Sequence, residues 1–177
     1  LVCCIIKPRK SEAEEDFRLR FIQAGIMKTP ELSVLEASKE IQSFAERLQR
    51  MFDMVRELLH TTEDSKFVKL YSRIEKYEGI SDNMEIEIAK YLDQVSNAHL
   101  SDETKEKVRS MLREISDLES IGDSCYNIAR TINRKMSAKE DFTEKQYNHI
   151  EQMFELTDDA LTQMNSLLIS HKHQNDV

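Results

Sequence analysis

Two pairs of carboxylates in this chain have a spacing that places each pair on one face of a helix. Glu78 and Asp82 are four residues apart in the stretch EGISD, and Glu119 and Asp123 are four residues apart in ESIGD. Side chains at this spacing are neighbours on a helix surface. Carboxylate oxygens are the ligands that hard cations prefer in proteins. The residue types and their spacing therefore indicate a metal-binding face.

The two pairs belong to consecutive predicted helices that reverse direction near residues 100–101. In such a helical hairpin, Glu78 lies level with Asp123, and Asp82 lies level with Glu119. Four carboxylates brought within a few ångströms repel one another unless a cation lies among them. We therefore predict a divalent or trivalent metal ion at this level, and the pattern does not distinguish iron, Mn, Mg, Ca or Zn.

Small residues interrupt the apolar stripes of both helices at the same level. Ser81 breaks the stripe of the second helix, and Gly122 breaks that of the third. Glycine costs about 0.5–1 kcal/mol relative to alanine inside a helix. A close approach of the two helices would explain why Gly122 is nevertheless present, and the approach would bring the flanking carboxylates together.

Other interpretations of the acidic residues remain open. The chain has 33 Asp and Glu residues against 25 Lys and Arg, so acids four apart are frequent and each pair could simply face water. Two further residues are candidate ligands. Asn127 follows Asp123 by one helical turn, and a chain reversal near residue 140 would place Asp158 roughly level with Asp123.

The elements that carry these residues are predicted to be four long helices. Thr29, Pro30 and Glu31 are typical of a helix start, and the helical spacing of apolar residues then continues to His60. The second helix runs to about Asn97, and the third and fourth begin after the capping residues Ser101 and Thr143. Long helices with short connections and one-sided apolar stripes predict an all-α fold, an antiparallel bundle.

Three segments are predicted along the chain. Residues 1–28 form a membrane-proximal segment and an extended arm, residues 29–170 form the helical bundle, and residues 171–177 form a polar tail. The opening LVCCII is too short to cross a bilayer, which takes about 20 residues. Followed by KPRK, it suits the end of a membrane-spanning helix with its basic cluster on the cytoplasmic side. An ordinary chain terminus or a short strand is the alternative.

Composition and motifs exclude several functional classes. The net charge of −8 argues against a nucleic-acid partner, since phosphate recognition needs a basic surface. The sequence contains no Gly-rich phosphate loop, dinucleotide-binding pattern or nucleophile–base arrangement, so we predict that the chain is not an enzyme. Its three cysteines have no zinc-binding spacing, and the odd number favours a reducing compartment.

The stretch SDLESIGDSCYNIAR resembles the signature of the PhoU family, in which ERIGD precedes an Asn-Ile-Ala stretch. This resemblance implies a bundle with an acidic, metal-binding motif on each of two adjacent helices, and Glu78 and Asp82 match the other copy. The chain departs from the family pattern at Ser120, where arginine is usual. The matching residues are Glu119, Ile121, Gly122, Asp123, Asn127, Ile128 and Ala129.

A second resemblance covers more of the chain. The charged arm, the stretch TPELSVLEASKEI and the single PhoU-like hairpin are similar to bacterial sodium/phosphate cotransporters. This implies a cytoplasmic regulatory domain that is attached to the transmembrane transporter region of the same polypeptide, at the cytoplasmic face of the bacterial inner membrane. The alternatives are a purely structural or dimerising bundle without a metal site, and a free-standing PhoU-type regulator. A homodimer is compatible with each of them.

Overall fold

Four long helices make up almost all of the chain that the computed structural model describes, which is residues 19–22 and 29–173, with side chains as far as residue 170. The helices are α1 (Pro30–His60), α2 (Asp64–Ser96), α3 (Asp102–Ala138) and α4 (Glu144–His173). Their 30 to 37 residues correspond to lengths of about 45–55 Å. The described residues form no strand, and the prediction of an all-α bundle of four long helices is confirmed. Residues 174–177 of the predicted tail lie outside the described part.

Side-chain caps define the starts of three helices. The backbone N–H of Leu32 donates to Thr29 Oγ1 at 3.4 Å, and Ser101 Oγ accepts the N–H three residues further on at 3.2 Å. Thr143 and Gln146 form a reciprocal pair, in which each side chain accepts the backbone N–H of the other. These contacts satisfy N–H groups that have no partner within the helix. The predicted capping roles of Thr29, Ser101 and Thr143 are confirmed.

Helix α1 lies at the centre of the fold. It packs against α2, α3 and α4, whereas α4 packs closely against α1 alone. The first three helices therefore form a three-helix bundle, and α4 covers the outer side of α1. Because α1 has neighbours on several sides, it buries Ser43 and Arg47 as well as its apolar residues. The largest fully buried apolar side chains include Phe44, Leu48, Met51, Ile74, Tyr77, Ile88 and Ile115.

Part of the predicted arm is fixed to α1 through a buried carboxylate. Residues 19–22 are not helical, and the backbone N–H groups of Arg20 and Phe21 both donate to Glu40 Oε2, at 2.9 and 2.8 Å. Glu40 is completely buried, so these two donors stabilise a charge that would otherwise be costly to bury. The membrane-proximal segment and the rest of the arm lie outside the described residues. No helix within the described ranges is long and apolar enough to cross a bilayer.

Candidate metal centre

Helices α2 and α3 approach each other closely where Ser81 faces Gly122. Both residues are buried. A Cβ atom on Gly122 would lie 2.6 Å from Ser81 Oγ, 3.2 Å from Ser81 Cβ and 3.3 Å from Leu48 Cδ2. The first of these distances is shorter than carbon and oxygen atoms can adopt without bonding. The prediction that small residues bring the two helices together at this level is confirmed.

Three of the four predicted carboxylates come together beside this contact. Glu78 and Asp82 project from α2 and Asp123 projects from α3, and one carboxylate oxygen from each lies within 4.8 Å of the other two. Glu78 and Asp82 are partly buried, while Asp123 is exposed. Glu78 and Asp123 therefore lie level across the hairpin, as their positions relative to the chain reversal predict. We call these three residues the acidic cluster.

Glu119 flanks the acidic cluster and is not one of its three members. It is partly buried on α3, and its Oε2 accepts a long hydrogen bond of 3.4 Å from Ser120 Oγ. The charge of Glu119 still contributes to raising the pKa of Glu78. Of the four predicted ligands, Glu119 is thus the one that would need to move closer to share a cation with the others.

The surroundings of Glu78 and Glu119 disfavour the negatively charged form of both side chains. Burial raises the pKa of Glu78 above its ordinary value of 4.5, and the charges of Asp82 and Asp123 raise it further. Burial also raises the pKa of Glu119, with the charge of Asp123 as the next cause. Within the described ranges, no lysine or arginine forms an ion pair with these four carboxylates. Like charges are thus held together by the packing of α2 on α3.

The donor set of the acidic cluster fits a hard metal cation. Every candidate ligand atom is a carboxylate oxygen, which suits Mg²⁺, Ca²⁺, Mn²⁺ and iron better than soft, sulfur-preferring ions. Glu78, Asp82 and Asp123 would hold the ion, with Glu119 beside them. A bound cation would supply the positive charge that no described lysine or arginine provides through an ion pair there.

The two additional candidates lie apart from the acidic cluster. Asp158 Oδ1 accepts from Gln49 Nε2 at 2.6 Å, and its Oδ2 lies 3.7 Å from a guanidinium nitrogen of Arg56. Asp158, which was predicted to lie roughly level with Asp123 as a possible extra ligand, thus binds side chains of α1, against which α4 packs, and it is not a member of the acidic cluster. Asn127 is exposed on α3 and lines a groove between α3 and α4.

One contact between α2 and α3 could not be predicted from the sequence. Tyr126 OH donates to Glu75 Oε1 at 2.9 Å, and the Tyr126 ring lies 6.3 Å from the ring of Tyr71. Glu75 comes three residues before Glu78, so this link fixes the hairpin one turn from the acidic cluster. The only sequence signal was that Glu75 lies near the predicted site, and nothing indicated its tyrosine partner.

The fold and the site together define a class of protein: an all-α bundle in which carboxylates from two adjacent helices gather on one face. A comparison with known domain families matches residues 41–132, about half of the chain, to the PhoU domain. The chain belongs to the PhoU family. The matched residues lie in α1, α2 and α3, and α4 lies beyond them. Comparisons with curated proteins and with solved structures found no match.

Membership of this family bears on function at a coarse level. PhoU domains regulate phosphate transport, they are not enzymes, and they bind metal ions. The three residues of the acidic cluster, on α2 and α3, lie within the residues 41–132 that match the PhoU domain.

The raised pKa values of Glu78 and Glu119 predict that the metal-free protein becomes more stable as the pH falls. Between the ordinary value of 4.5 and the higher folded value, the folded state binds protons that the unfolded state has released. The free energy of unfolding therefore decreases as the pH rises through this window. Thermal melting in EDTA from about pH 7 to about pH 5 should give a rising melting temperature.

The control is the Glu78→Gln, Glu119→Gln double variant, whose melting temperature should change less over the same range. Asp141 affects the stability of the protein in a separate, lower pH range, since hydrogen bonds from Lys135 and Tyr147 lower its pKa to about 2. The stability that Asp141 contributes is present above its ordinary value of 3.8 and is lost below it. An equal pH dependence in the wild type and the double variant would contradict the prediction.

Proposed function

We propose that this chain is the cytoplasmic regulatory domain of a sodium-dependent phosphate transporter and that its acidic face binds a metal ion. The observation that carries the metal site is the gathering of Glu78, Asp82 and Asp123 within 4.8 Å across the α2–α3 hairpin. Their repulsion is not offset by any ion pair from the described lysines and arginines, and a cation would offset it.

Attachment to a transporter is supported by the sequence before the bundle. The apolar residues LVCCII followed by Lys7, Arg9 and Lys10 suit the cytoplasmic end of a membrane-spanning helix. A regulator of phosphate transport in this position would lie at the cytoplasmic face of the bacterial inner membrane. Its main partner would be the transmembrane transporter region of the same polypeptide.

The acidic cluster and the neighbouring Glu119 suggest how such a domain could act. Glu78, Asp82, Asp123 and Glu119 hold negative charge on one side of the hairpin, and a bound cation reduces that charge. A surface that contacts the transporter region would therefore change its electrostatic complementarity when the metal binds. The contact at Ser81 and Gly122 holds the two helices in register, so the change in charge would not require the bundle to rearrange.

Phosphate uptake by the full-length protein in cells tests this proposal. The Glu78→Gln, Asp123→Asn double variant should alter the dependence of uptake on external phosphate. A control with Asp93→Asn and Asp117→Asn removes two charges from exposed positions on the same helices, outside the acidic cluster, and should behave as the wild type does.

Two outcomes would favour the alternatives. Equal uptake by the acidic-face variant and the control would indicate a structural bundle whose acids serve solubility. A reading frame without membrane spans upstream of Leu1 would indicate a free-standing PhoU-type regulator, and the transporter attachment would then be wrong even if metal binding is demonstrated.

A further inference from the structure

Helix α4 is held to the bundle by much less apolar burial than the other helices are. Of the α4 side chains that the structure describes, only Phe154 and Leu161 are buried, whereas each of the other helices buries a full apolar stripe. Three large apolar residues of α4 face solvent instead, since Met153, Leu156 and Leu167 are 67%, 71% and 60% exposed. Because α4 packs closely against α1 alone, its position depends on that one junction.

The side of α1 that faces α4 is mostly polar. The helical repeat places six residues of α1 within an arc of about 80°, and those in contact with α4 are among them. Only Phe52 is a large apolar side chain, and its ring meets the ring of Phe154 edge-on at 5.4 Å. Water can therefore solvate most of this side when α4 is absent from it. We call these residues the α4-facing side of α1: Ser38, Gln42, Ala45, Gln49, Phe52 and Arg56.

Polar contacts make up most of the remaining junction. Gln49 Nε2 donates to Asp158 Oδ1 at 2.6 Å. Guanidinium nitrogens of Arg56 lie 3.8 Å from a carboxylate oxygen of Glu151 and 3.7 Å from one of Asp158, and all three side chains are about one third exposed. Such hydrogen bonds and ion pairs contribute little to stability, because water solvates the separated groups almost as well.

Like charges oppose each other across the same junction. Burial raises the pKa of the Asp53 carboxyl on α1, and the charge of Asp158 on α4 raises it further. Arg56 partly offsets this repulsion, since its charge lowers the pKa of the same carboxyl. The charge of Arg56 therefore helps to hold α4 in place, and its removal should weaken the junction.

We propose that α4 is a releasable helix, which undocks from α1 as one unit while α1, α2 and α3 remain folded. Regions with few buried apolar contacts open at a lower free energy than the rest of a fold. Nearly all of the buried apolar residues within the described ranges lie in the first three helices. The acidic cluster lies on α2 and α3, so the released state retains it.

Release of α4 would change the surface of the protein. A groove of about 430 Å³ lies between α3 and α4, and Met153 and Phe154 form part of its wall. This groove exists only while α4 is docked. In the released state Phe52 loses its cover, and Phe154 and Leu161 become available for another contact. Docked α4 thus acts as a cover whose hold depends on the charges at the junction.

Hydrogen exchange of the whole chain, followed by mass spectrometry, tests the proposal. Helices in proteins owe most of their stability to tertiary packing, so the amides of undocked α4 exchange with solvent. Residues 150–165 should share one protection factor, about tenfold or more below those at the centres of α1 and α3. Equal protection in α4 and the other helices would overturn the proposal, and so would a gradient of protection that rises steadily from one end of α4.

A double variant in the three-helix bundle separates release from global unfolding. Ile74 and Ile88 are fully buried on α2, and shortening both in Ile74→Val, Ile88→Val should speed exchange in α1, α2 and α3 about tenfold. Exchange in α4 should stay unchanged, because the bundle is intact in both the docked and the released states. Equal acceleration in α4 would show that the four helices open together, and the proposal would then be wrong.

A charge variant tests the junction itself. Arg56→Gln removes the cation beside Glu151 and Asp158 and should speed exchange in α4 about three- to tenfold. The control is Arg109→Gln, which removes an ion pair with Glu106 within α3 and should leave exchange in α4 unchanged. If Arg56→Gln has no more effect on α4 than the control has, α4 is not held as proposed.

Discussion

Alanine in place of Gly122 is expected to destabilise the protein by about 1–2 kcal/mol, although alanine is the better helix former. The added Cβ would lie 2.6 Å from Ser81 Oγ and 3.2 Å from Ser81 Cβ, so the Ser81 hydroxyl would have to rotate away and its Cβ would have to move back by a few tenths of an ångström. The matched control is Gly79→Ala on α2, where a Cβ would have no atom within 4 Å. That variant should be more stable than the wild type by about 0.5–1 kcal/mol. Chemical denaturation of the two variants shows whether Gly122→Ala lowers the free energy of unfolding while Gly79→Ala raises it.

A second substitution shows whether the contact itself is responsible. Ser81→Gly removes both Ser81 atoms that the new Cβ would meet, so Gly122→Ala should cost less in that background than in the wild type. Residues in contact show such interaction energies, whereas distant residues have additive effects. Additive costs for Gly122→Ala and Ser81→Gly would contradict the close approach of α2 and α3.

Metal binding is expected to reverse the order of stability between the wild type and the Glu78→Gln, Asp123→Asn variant. In EDTA the variant should melt at the higher temperature, because it lacks two of the mutually repelling carboxylates. A ligand that binds only the folded state adds about 2.7 kcal/mol at 100 times its dissociation constant and about 4 kcal/mol at 1,000 times. With metal at such concentrations the wild type should therefore melt at the higher temperature.

Melting curves with Mg²⁺, Mn²⁺, Ca²⁺, Zn²⁺ and iron, together with metal analysis of the purified protein, measure this effect. The Asp93→Asn, Asp117→Asn control removes the same number of charges outside the acidic cluster and should retain the full metal response. A metal response that survives in the acidic-cluster variant would show that the ion binds elsewhere. The absence of any response in the wild type would favour the structural bundle.

Local features of the sequence predicted the helices and the height along the α2–α3 hairpin at which the acidic cluster lies. Thr29, Ser101 and Thr143 cap helices as their types and positions indicate, because capping depends on a few consecutive residues. Glu78 and Asp123 lie together because a regular helix advances by a constant rise on both sides of one short turn. Ser81 and Gly122 face each other for the same reason. They lie at the same height on two helices that are consecutive in the sequence.

The contacts of helices that are not consecutive were decided by the tertiary structure. The packing of α4 on α1 takes Asp158 to Gln49 and Arg56, and the helical repeat of α4 carries no information about which neighbour covers it. The same holds for the burial of Glu40 beneath residues 19–22. Periodicity determines which residues share a face of a helix, whereas side-chain packing across the bundle decides which faces meet and how close Glu119 comes to the other carboxylates.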